Sequence, residues 1–142
     1  GPLREHIARV RENLFFLDYA PVVALSAKTR GKMNRLFTTI EKIRQHATRR
    51  TGTGELNRFL RAVMERQPPP FRGNRRFKLL YATQVLPEKP DPFQPPVFLL
   101  FVNDARLLPE SYLNYLRARL RERWEFPGLP MFLRLRGRDR RP

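Results

Sequence analysis

With 142 residues and 41% hydrophobic content, the chain is long enough for one domain, or a domain with an appendage, built around a packed core. Lysine and arginine outnumber aspartate and glutamate by 29 to 13, and 24 of the 29 are arginine, so a phosphate-bearing polyanion is the expected partner. The sequence has no cysteine and no apolar run of the roughly 18 to 20 residues that span a bilayer, which excludes disulfides, thiolate metal sites and a transmembrane helix.

The first third of the sequence predicts a helix, a strand and a second helix. Four apolar residues between positions 3 and 14 recur at helical spacing, and residues 21 to 25 form an apolar run typical of a buried strand. After Gly31, apolar residues again follow one helical face as far as Ile43. A strand of this kind needs neighbouring strands to satisfy its backbone groups, so we expect this unit to be a truncated piece of an α/β domain.

The residues that follow the predicted strand, Ser26, Ala27 and Lys28, form a candidate binding turn. In open α/β sheets ligands bind at the carboxyl ends of strands, and a small side chain lets a backbone N–H come close to a planar base. The sequence contains no G-x-x-x-x-G-K-[ST] loop, however. We therefore expect nothing in this chain to cradle phosphates or to hold a magnesium ion in the Walker manner.

A second unit begins after the run RRTGTG at residues 49 to 54, where two glycines break the periodicity and predict a domain boundary between residues 51 and 52. Thr53 can cap a helix, which we expect to end at three consecutive prolines. Residues 77 to 85 alternate as a strand, with the side chains of Phe77, Leu79, Tyr81, Thr83 and Val85 expected on one side. Residues 86 to 96 contain five prolines and predict a long loop whose role the sequence does not indicate.

Three further elements complete this unit. Residues 97 to 102 are apolar at every position, as in a central strand that is covered on both faces or packed heavily on one. Pro109 opens a helix whose apolar residues face the core as far as Trp124. Residues 131 to 136 alternate apolar with partly basic positions and predict the last strand, followed by a short basic tail. The order α, β, β, α, β indicates an α+β domain.

In this order the motifs resemble the carboxyl-terminal part of Der (EngA), a family of bacterial GTPases with two tandem G domains followed by a KH-like domain. The matching text is ENLFFLDYAPVVALSAKT, TGTGELNRFLRAVMERQPPP, FKLLYATQV, VFLLFVND and MFLRLRGR. The resemblance implies that residues 1–51 are the helix-strand-helix remnant of the second, P-loop G domain. It also implies that residues 52–142 are a KH-like domain, in which a three-stranded sheet packs on helices.

The resemblance further implies a function. In related GTPases the amide at the position of Ala27 meets the guanine carbonyl oxygen, and the side chain at the position of Lys28 covers the base, with Ser26 in the same motif. We expect this chain to hold no cofactor and to catalyse nothing, whereas the parent protein binds GTP with magnesium and hydrolyses GTP. The family's association with ribosome biogenesis implies that the partners are ribosomal RNA, the large ribosomal subunit and the parent's own G domains. We also expect a monomer, and the lack of cysteine and of a signal peptide predicts a cytoplasmic protein.

Two clusters of basic residues are the candidate RNA contacts. One precedes the first strand of the second unit and the other covers the last strand and the tail; they are Arg72, Arg75, Arg76 and Lys78, and Arg134, Arg136, Arg138, Arg140 and Arg141. The arginines of the last helix alternate with Glu122 and Glu125, so we expect them to face solvent and to pair within the helix. The aromatic residues at core periodicity are expected to pack rather than to stack on bases; these are Phe59, Phe77, Phe98, Phe101 and Trp124.

Two alternatives stay open at this point. One is the KH fragment of an Era-like GTPase, which also joins a Ser-Ala turn to a KH domain. The KH domain of that family carries the G-x-x-G loop that clamps a nucleic-acid backbone, and this sequence has no G-x-x-G. The other is a protein-interaction domain whose basic surface docks on its own G domains without contacting RNA.

Overall fold

The structure is a computed structural model that describes residues 1–25, 33–47, 49–89, 91 and 93–138. Those residues form four α-helices, two short 3-10 helices and three β-strands. The helices are α1 (Pro2–Asn13), α2 (Met33–Ala47), α3 (Thr53–Arg66) and α4 (Glu110–Arg123), the strands are β1 (Leu79–Val85), β2 (Val97–Val102) and β3 (Phe132–Arg136), and the 3-10 helices are Phe15–Leu17 and Ala105–Leu107. From α3 onwards the order is α, β, β, α, β, which confirms the predicted α+β fold.

The three strands form one mixed sheet in the order β1-β2-β3. β1 runs antiparallel to β2, whereas β3 runs parallel to β2. A parallel pair needs a crossover between its strands, and α4 supplies it. The carboxyl ends of β2 and β3 therefore lie at the same edge of the sheet. The sequence predicted the strands but not this pairing.

One face of the sheet packs against α3 and α4. From β2, the side chains of Phe98, Leu100 and Val102 are completely buried on this face. They belong to one apolar cluster with the helix residues that are also completely buried, namely Leu56, Leu60, Leu116 and Leu120. The alternate side chains of β2 lie on the other face and are only half-buried. β2 is thus a central strand packed heavily on one side, which is one of the two predicted arrangements.

Most of the aromatic residues predicted to pack in the core do so. Phe77, Phe98 and Trp124 are buried, and Phe59 packs edge to face on Trp124 with ring centroids 5.2 Å apart. Phe101 departs from this prediction, because it lies on the half-buried side of β2 away from the helices.

The predicted orientation of the β1 side chains is correct for Tyr81, Thr83 and Val85, which share one face, but wrong for Leu79. The strand begins at Leu79, and its register with β2 shifts between Leu79 and Tyr81. An irregularity of this kind changes the alternation of side chains after it. Ala82 is therefore the residue that is completely buried, whereas Tyr81 is 48% exposed on the opposite face. Thr83 and Val85 share the face of Tyr81, away from Leu79.

A side chain from α3 completes the outer edge of β1. Asn57, which is buried, donates from Nδ2 to the carbonyl oxygen of Ala82 at 2.8 Å and accepts from the Ala82 N–H at 2.8 Å. Both backbone groups of Ala82 are thus satisfied as they would be by a neighbouring strand. The carboxamide presents an N–H donor and a carbonyl acceptor side by side, which explains an asparagine at an otherwise apolar helix face.

The strand predicted at residues 21 to 25 is wrong. This segment has no regular secondary structure, and positions 22 to 24 are half-buried. Among the described residues, β1, β2 and β3 pair only with one another. An isolated extended segment has no partner for its backbone groups, so it does not form a strand ladder. The helices predicted on either side are present as α1 and α2, and no residue of α1 is buried.

Candidate nucleic-acid interface

The first predicted basic cluster lies on a tight turn between α3 and β1. The backbones of Arg72 and Arg75 bond to each other in both directions, at 3.3 and 3.0 Å. Gly73, inside the turn, has a φ of +61°, which glycine adopts without the clash that a Cβ would cause. The turn therefore holds two exposed arginines close together.

Asp104, just beyond the end of β2, binds two arginines, Arg75 of the first cluster and Arg106. Its carboxylate is 7% exposed and accepts from Arg106 Nε at 3.1 Å and Nη2 at 3.0 Å, and from Arg75 Nη1 at 2.8 Å. The bonds from the Arg106 side chain and backbone, with that from Arg75, hold the pKa of Asp104 well below its usual range. The side chains of Arg75 and Arg106 remain 46% and 73% exposed, respectively, so both keep free donors for a phosphate.

Part of the second predicted cluster lies at the same edge of the sheet, on β3 and just after it. Arg134 and Arg136 are exposed on β3, and Arg138 is exposed just after it. Between them Gly137 approaches the end of β2 closely: a Cβ on Gly137 would lie 3.4 Å from Ala105 N and 3.8 Å from Asp104 Cα. Arg140 and Arg141 lie outside the described residues.

The parallel pairing of β2 and β3 thus joins parts of both clusters at one edge of the sheet. Arg72 donates from Nη1 to the carbonyl oxygen of Arg106 at 2.8 Å and ties the turn to the same point. We call this surface the arginine edge; it consists of Arg72, Arg75, Arg106, Arg136 and Arg138. The sequence prediction missed Arg106, which stands alone in its segment and joins the others only through Asp104.

Arg76 and Lys78 lead to a different surface. Asn103 fixes their backbones, because its side chain donates to the Arg76 carbonyl oxygen at 2.8 Å and accepts from the Lys78 N–H at 2.9 Å. Their side chains line a groove of about 680 Å³ between α3 and β1, together with Arg61 and the exposed ring of Phe71. The structure therefore separates these two residues from the arginine edge.

The arginines of α4 are only partly as predicted. Arg119 pairs with Glu122 within the helix, as expected. Arg117 instead donates from Nε to the carbonyl oxygen of Met131 at 3.0 Å, and Arg121 donates to the carbonyl oxygens of Phe126 and Leu129 at 3.2 and 2.9 Å. These side chains fix the loop that leads into β3, and burial lowers the pKa of Arg121 from its usual value.

The amino-terminal segment contacts the same loop. The N–H of Gly128 donates to the carbonyl oxygen of Tyr19 at 3.1 Å, and the guanidinium carbon of Arg121 lies 5.2 Å from the centre of the Tyr19 ring. Ile43 of α2 packs against the apolar core beside Gly128. The two units predicted from the sequence thus touch each other here, and the boundary between them at residues 51 and 52 stays a prediction.

The predicted guanine-contacting residues, Ser26, Ala27 and Lys28, lie outside the described residues, so their role also stays a prediction. Within the part of the chain that the structure describes, no group of three or more histidine, aspartate and glutamate side chains could hold a metal ion. No described helix is long and apolar enough to cross a membrane.

Comparison with known proteins gives a consistent family. The family model of the KH-domain-like carboxyl-terminal region of EngA bacterial GTPase enzymes matches residues 50–136. Curated relatives called GTPase Der include those of Chloroflexus aggregans, 42% identical over 94% of this chain, Bacillus cereus, 39% over 92%, and Desulforamulus reducens, 35% over 92%. The chain spans about 28% of the length of each of these relatives.

Proposed function

Because the chain belongs to the family of KH-like carboxyl-terminal domains of EngA bacterial GTPases, we propose that it is the RNA-contacting and regulatory module of such a GTPase. The parent would hydrolyse GTP during assembly of the large ribosomal subunit, as a monomer in the cytoplasm. Its partners would be ribosomal RNA and the parent's own G domains. The family match is to EngA, so we set the Era-like alternative aside.

The arginine edge carries this proposal. Five arginines from three separate segments lie at one edge of the sheet, and two of them, Arg75 and Arg106, bond to the same buried carboxylate while their side chains stay exposed. Guanidinium groups bind phosphate oxygens through paired N–H donors, and a fixed group of them neutralises several phosphates at once. The net charge of +16 favours approach of a polyanion from solution.

The nucleotide chemistry belongs to other parts of the parent. The residues present do not fit a complete GTP–magnesium site, because the sequence has no phosphate-binding loop and the described residues offer no metal-ligand cluster. We therefore assign no catalytic step to this chain. Ser26, Ala27 and Lys28 would complete the guanine pocket of the second G domain. The contact of Tyr19 and Ile43 with the loop before β3 would link that domain to the sheet.

Replacing the arginines on β3 and just after it tests the RNA contact. The change is Arg134→Ala, Arg136→Ala and Arg138→Ala in one variant, with binding to ribosomal RNA measured by filter binding over a range of salt concentrations. We expect weaker binding and a flatter plot of log affinity against log salt. The slope should fall by about 0.7 to 0.9 for each phosphate that the variant no longer neutralises.

A control variant with the same change in charge is available on α1. Arg4, Arg9 and Arg11 are exposed on a helix that buries no residue, so Arg4→Ala, Arg9→Ala and Arg11→Ala removes three charges without touching the sheet. An equal weakening of RNA binding in both variants would mean that only net charge matters and would contradict the proposed site. Unchanged RNA binding by the β3 variant, together with abolished binding to the parent's G domains, would favour the protein-interaction alternative.

A further inference from the structure

The face of the sheet that points away from α3 and α4 is organised in three rows. Each row takes one side chain from each strand, paired in register. The rows are Tyr81, Phe101 and Arg136, then Thr83, Leu99 and Arg134, then Val85, Val97 and Phe132. We call this surface the open face.

Large apolar and aromatic side chains remain accessible on the open face. Tyr81, Phe132 and Val85 are 48%, 44% and 44% exposed, whereas the central side chains from β2 are half-buried between their neighbours. Side chains in one row lie about 5 Å apart. The exposed rings therefore stand at two opposite corners of a surface whose middle is apolar.

All charges on the open face are positive. Arg134 and Arg136 occupy adjacent rows on β3, and no acidic residue occurs among the nine positions of the three rows. Among the ion pairs of the described residues, none involves either of these arginines. The face thus combines exposed rings with uncompensated guanidinium groups.

We propose that the open face binds single-stranded RNA, with unpaired bases stacked on Tyr81 and Phe132 and the adjoining phosphates bound by Arg134 and Arg136. The proposal rests on the RNA-contacting function proposed above and adds which form of RNA is bound. Every base has a π-face, so rings that are accessible on a sheet accept bases with little regard to sequence. Bases in a duplex are stacked on one another and are not available to such rings.

The dimensions of the open face suit this occupant. Tyr81 and Phe132 lie two strands apart and four residues apart along the sheet, which separates them by about 16 Å. Four-stranded sheets that bind RNA stack about two or three bases on a comparable surface. Arg136 shares a row with Tyr81, and Arg134 is next but one to Phe132 on β3, so each ring has a phosphate-binding group within one or two positions.

Charge complementarity and continuity favour RNA over a protein partner. Arg136 belongs both to the open face and to the arginine edge, which also contains Arg75 and Arg106. An RNA strand bound to the rings therefore continues to that edge without crossing an acidic side chain of the three rows. Such a path combines basic side chains with aromatic platforms, which is the combination that binds single strands in general. An acidic protein surface would also pair with the arginines, but a nucleic acid supplies a planar π-face and a phosphate in every unit, which matches the alternation of rings and arginines on this face.

The test removes the rings without altering charge. The variants are Tyr81→Thr, Phe132→Thr and the double variant, since threonine keeps the preference for a strand while losing the stacking surface. Binding of the full 142-residue chain is measured by fluorescence anisotropy with an unstructured pyrimidine RNA, alone and annealed to its complement. We expect each single change to weaken single-strand binding by about fivefold or more. Binding to the duplex and the salt slope should stay the same.

Matched controls separate stacking from general effects. Tyr81→Phe and Phe132→Tyr keep a ring at each position and should retain the affinity of the unmodified chain. Phe37→Ala removes a ring that is 61% exposed but lies on α2, off the sheet, and it should have no effect on single-strand binding. Thermal unfolding by circular dichroism checks that each variant is folded.

The outcomes distinguish this proposal from the one on which it rests. If the unmodified chain binds no RNA, both fail. If it binds RNA but the threonine variants bind single strands as tightly as it does, the open face is not the site while the RNA-contacting function stands. If those variants keep RNA binding but no longer bind the parent's G domains, the open face is a protein interface, which also overturns the proposal.

Discussion

Replacing Gly128 by alanine should loosen the contact between α2 and the loop that precedes β3. Gly128 has a φ of +76°, which an L residue adopts at a cost of about 1–2 kcal/mol. A Cβ on Gly128 would also overlap Cδ1 and Cγ1 of Ile43. Such an overlap forces a side chain or backbone shift, and overpacking costs about 1–3 kcal/mol.

Gly73 provides a matched control for this change. It has a φ of +61°, but a Cβ there would meet nothing within 4 Å. Gly73→Ala therefore has the backbone cost without the overlap, and both changes restrict the unfolded chain to the same extent. We expect Gly128→Ala to lower the free energy of unfolding by about 1–3 kcal/mol more than Gly73→Ala.

Urea unfolding followed by circular dichroism measures the two free energies. Adding Ile43→Ala to Gly128→Ala removes the overlapping atoms, so the double variant should be less destabilised than the sum of the single changes. Trypsin gives a second reading, because Arg49 and Arg50 are exposed between α2 and α3 and should be cleaved faster in Gly128→Ala. Equal destabilisation by Gly128→Ala and Gly73→Ala, or strict additivity with Ile43→Ala, would refute the packing of α2 on this loop.

Two further substitutions test the supports of the sheet. Asp104 has a depressed pKa in the folded chain, so the stability it contributes is complete above its ordinary value of 3.8 and declines as pH falls below it. Asp104→Asn should flatten this acid-side decline in thermal unfolding, and an unchanged pH profile would refute the ion pairs. Asn57→Ala leaves both buried backbone groups of Ala82 unpaired and should cost about 2–5 kcal/mol in urea unfolding. A destabilisation below about 1 kcal/mol would argue against this bridge.

The elements that follow from local patterns could be predicted from the sequence. The spacing of Leu56, Leu60 and Val63 predicts α3, and these residues are buried as a helical face requires. The unbroken apolar run of β2 predicts a central strand, which the sheet order confirms. In both cases the residues that define the pattern also form the core, so no distant contact was needed to identify them.

Two features depend on partners distant in sequence: which side chains of β1 face the core, and the irregular structure of residues 21 to 25. The register shift between Leu79 and Tyr81 reverses the alternation that the sequence suggests, and Asn57 then fixes Ala82 from α3. For residues 21 to 25, an apolar run predicts burial but does not supply a neighbouring strand. Periodicity therefore indicates which residues avoid water, while pairing decides which element they form.

Part of the candidate site could not be predicted from the sequence, because it depends on how the strands pair. The two basic clusters were visible as runs of arginine, but only the parallel alignment of β2 with β3 brings Gly137, which lies between Arg136 and Arg138, close to the backbone of Asp104. Arg106 has no basic neighbour in sequence and carries no local signal. The roles of Arg117 and Arg121 were missed for the same reason, since the backbone carbonyls that they bind lie on a loop that folds back over α4.

β3 contributes to both proposed RNA contacts, and this determines how they must be tested. Its exposed side chains belong to the open face, while its carboxyl end leads into the arginine edge. Removing Arg134 and Arg136 therefore weakens phosphate binding on both surfaces and reduces affinity for single and double strands alike. Replacing Tyr81 or Phe132 leaves the number of charges unchanged, so a weakening confined to single strands reports stacking alone. The ratio of single-strand to duplex affinity, rather than either affinity, is thus the quantity that separates recognition by the rings from attraction by the arginines.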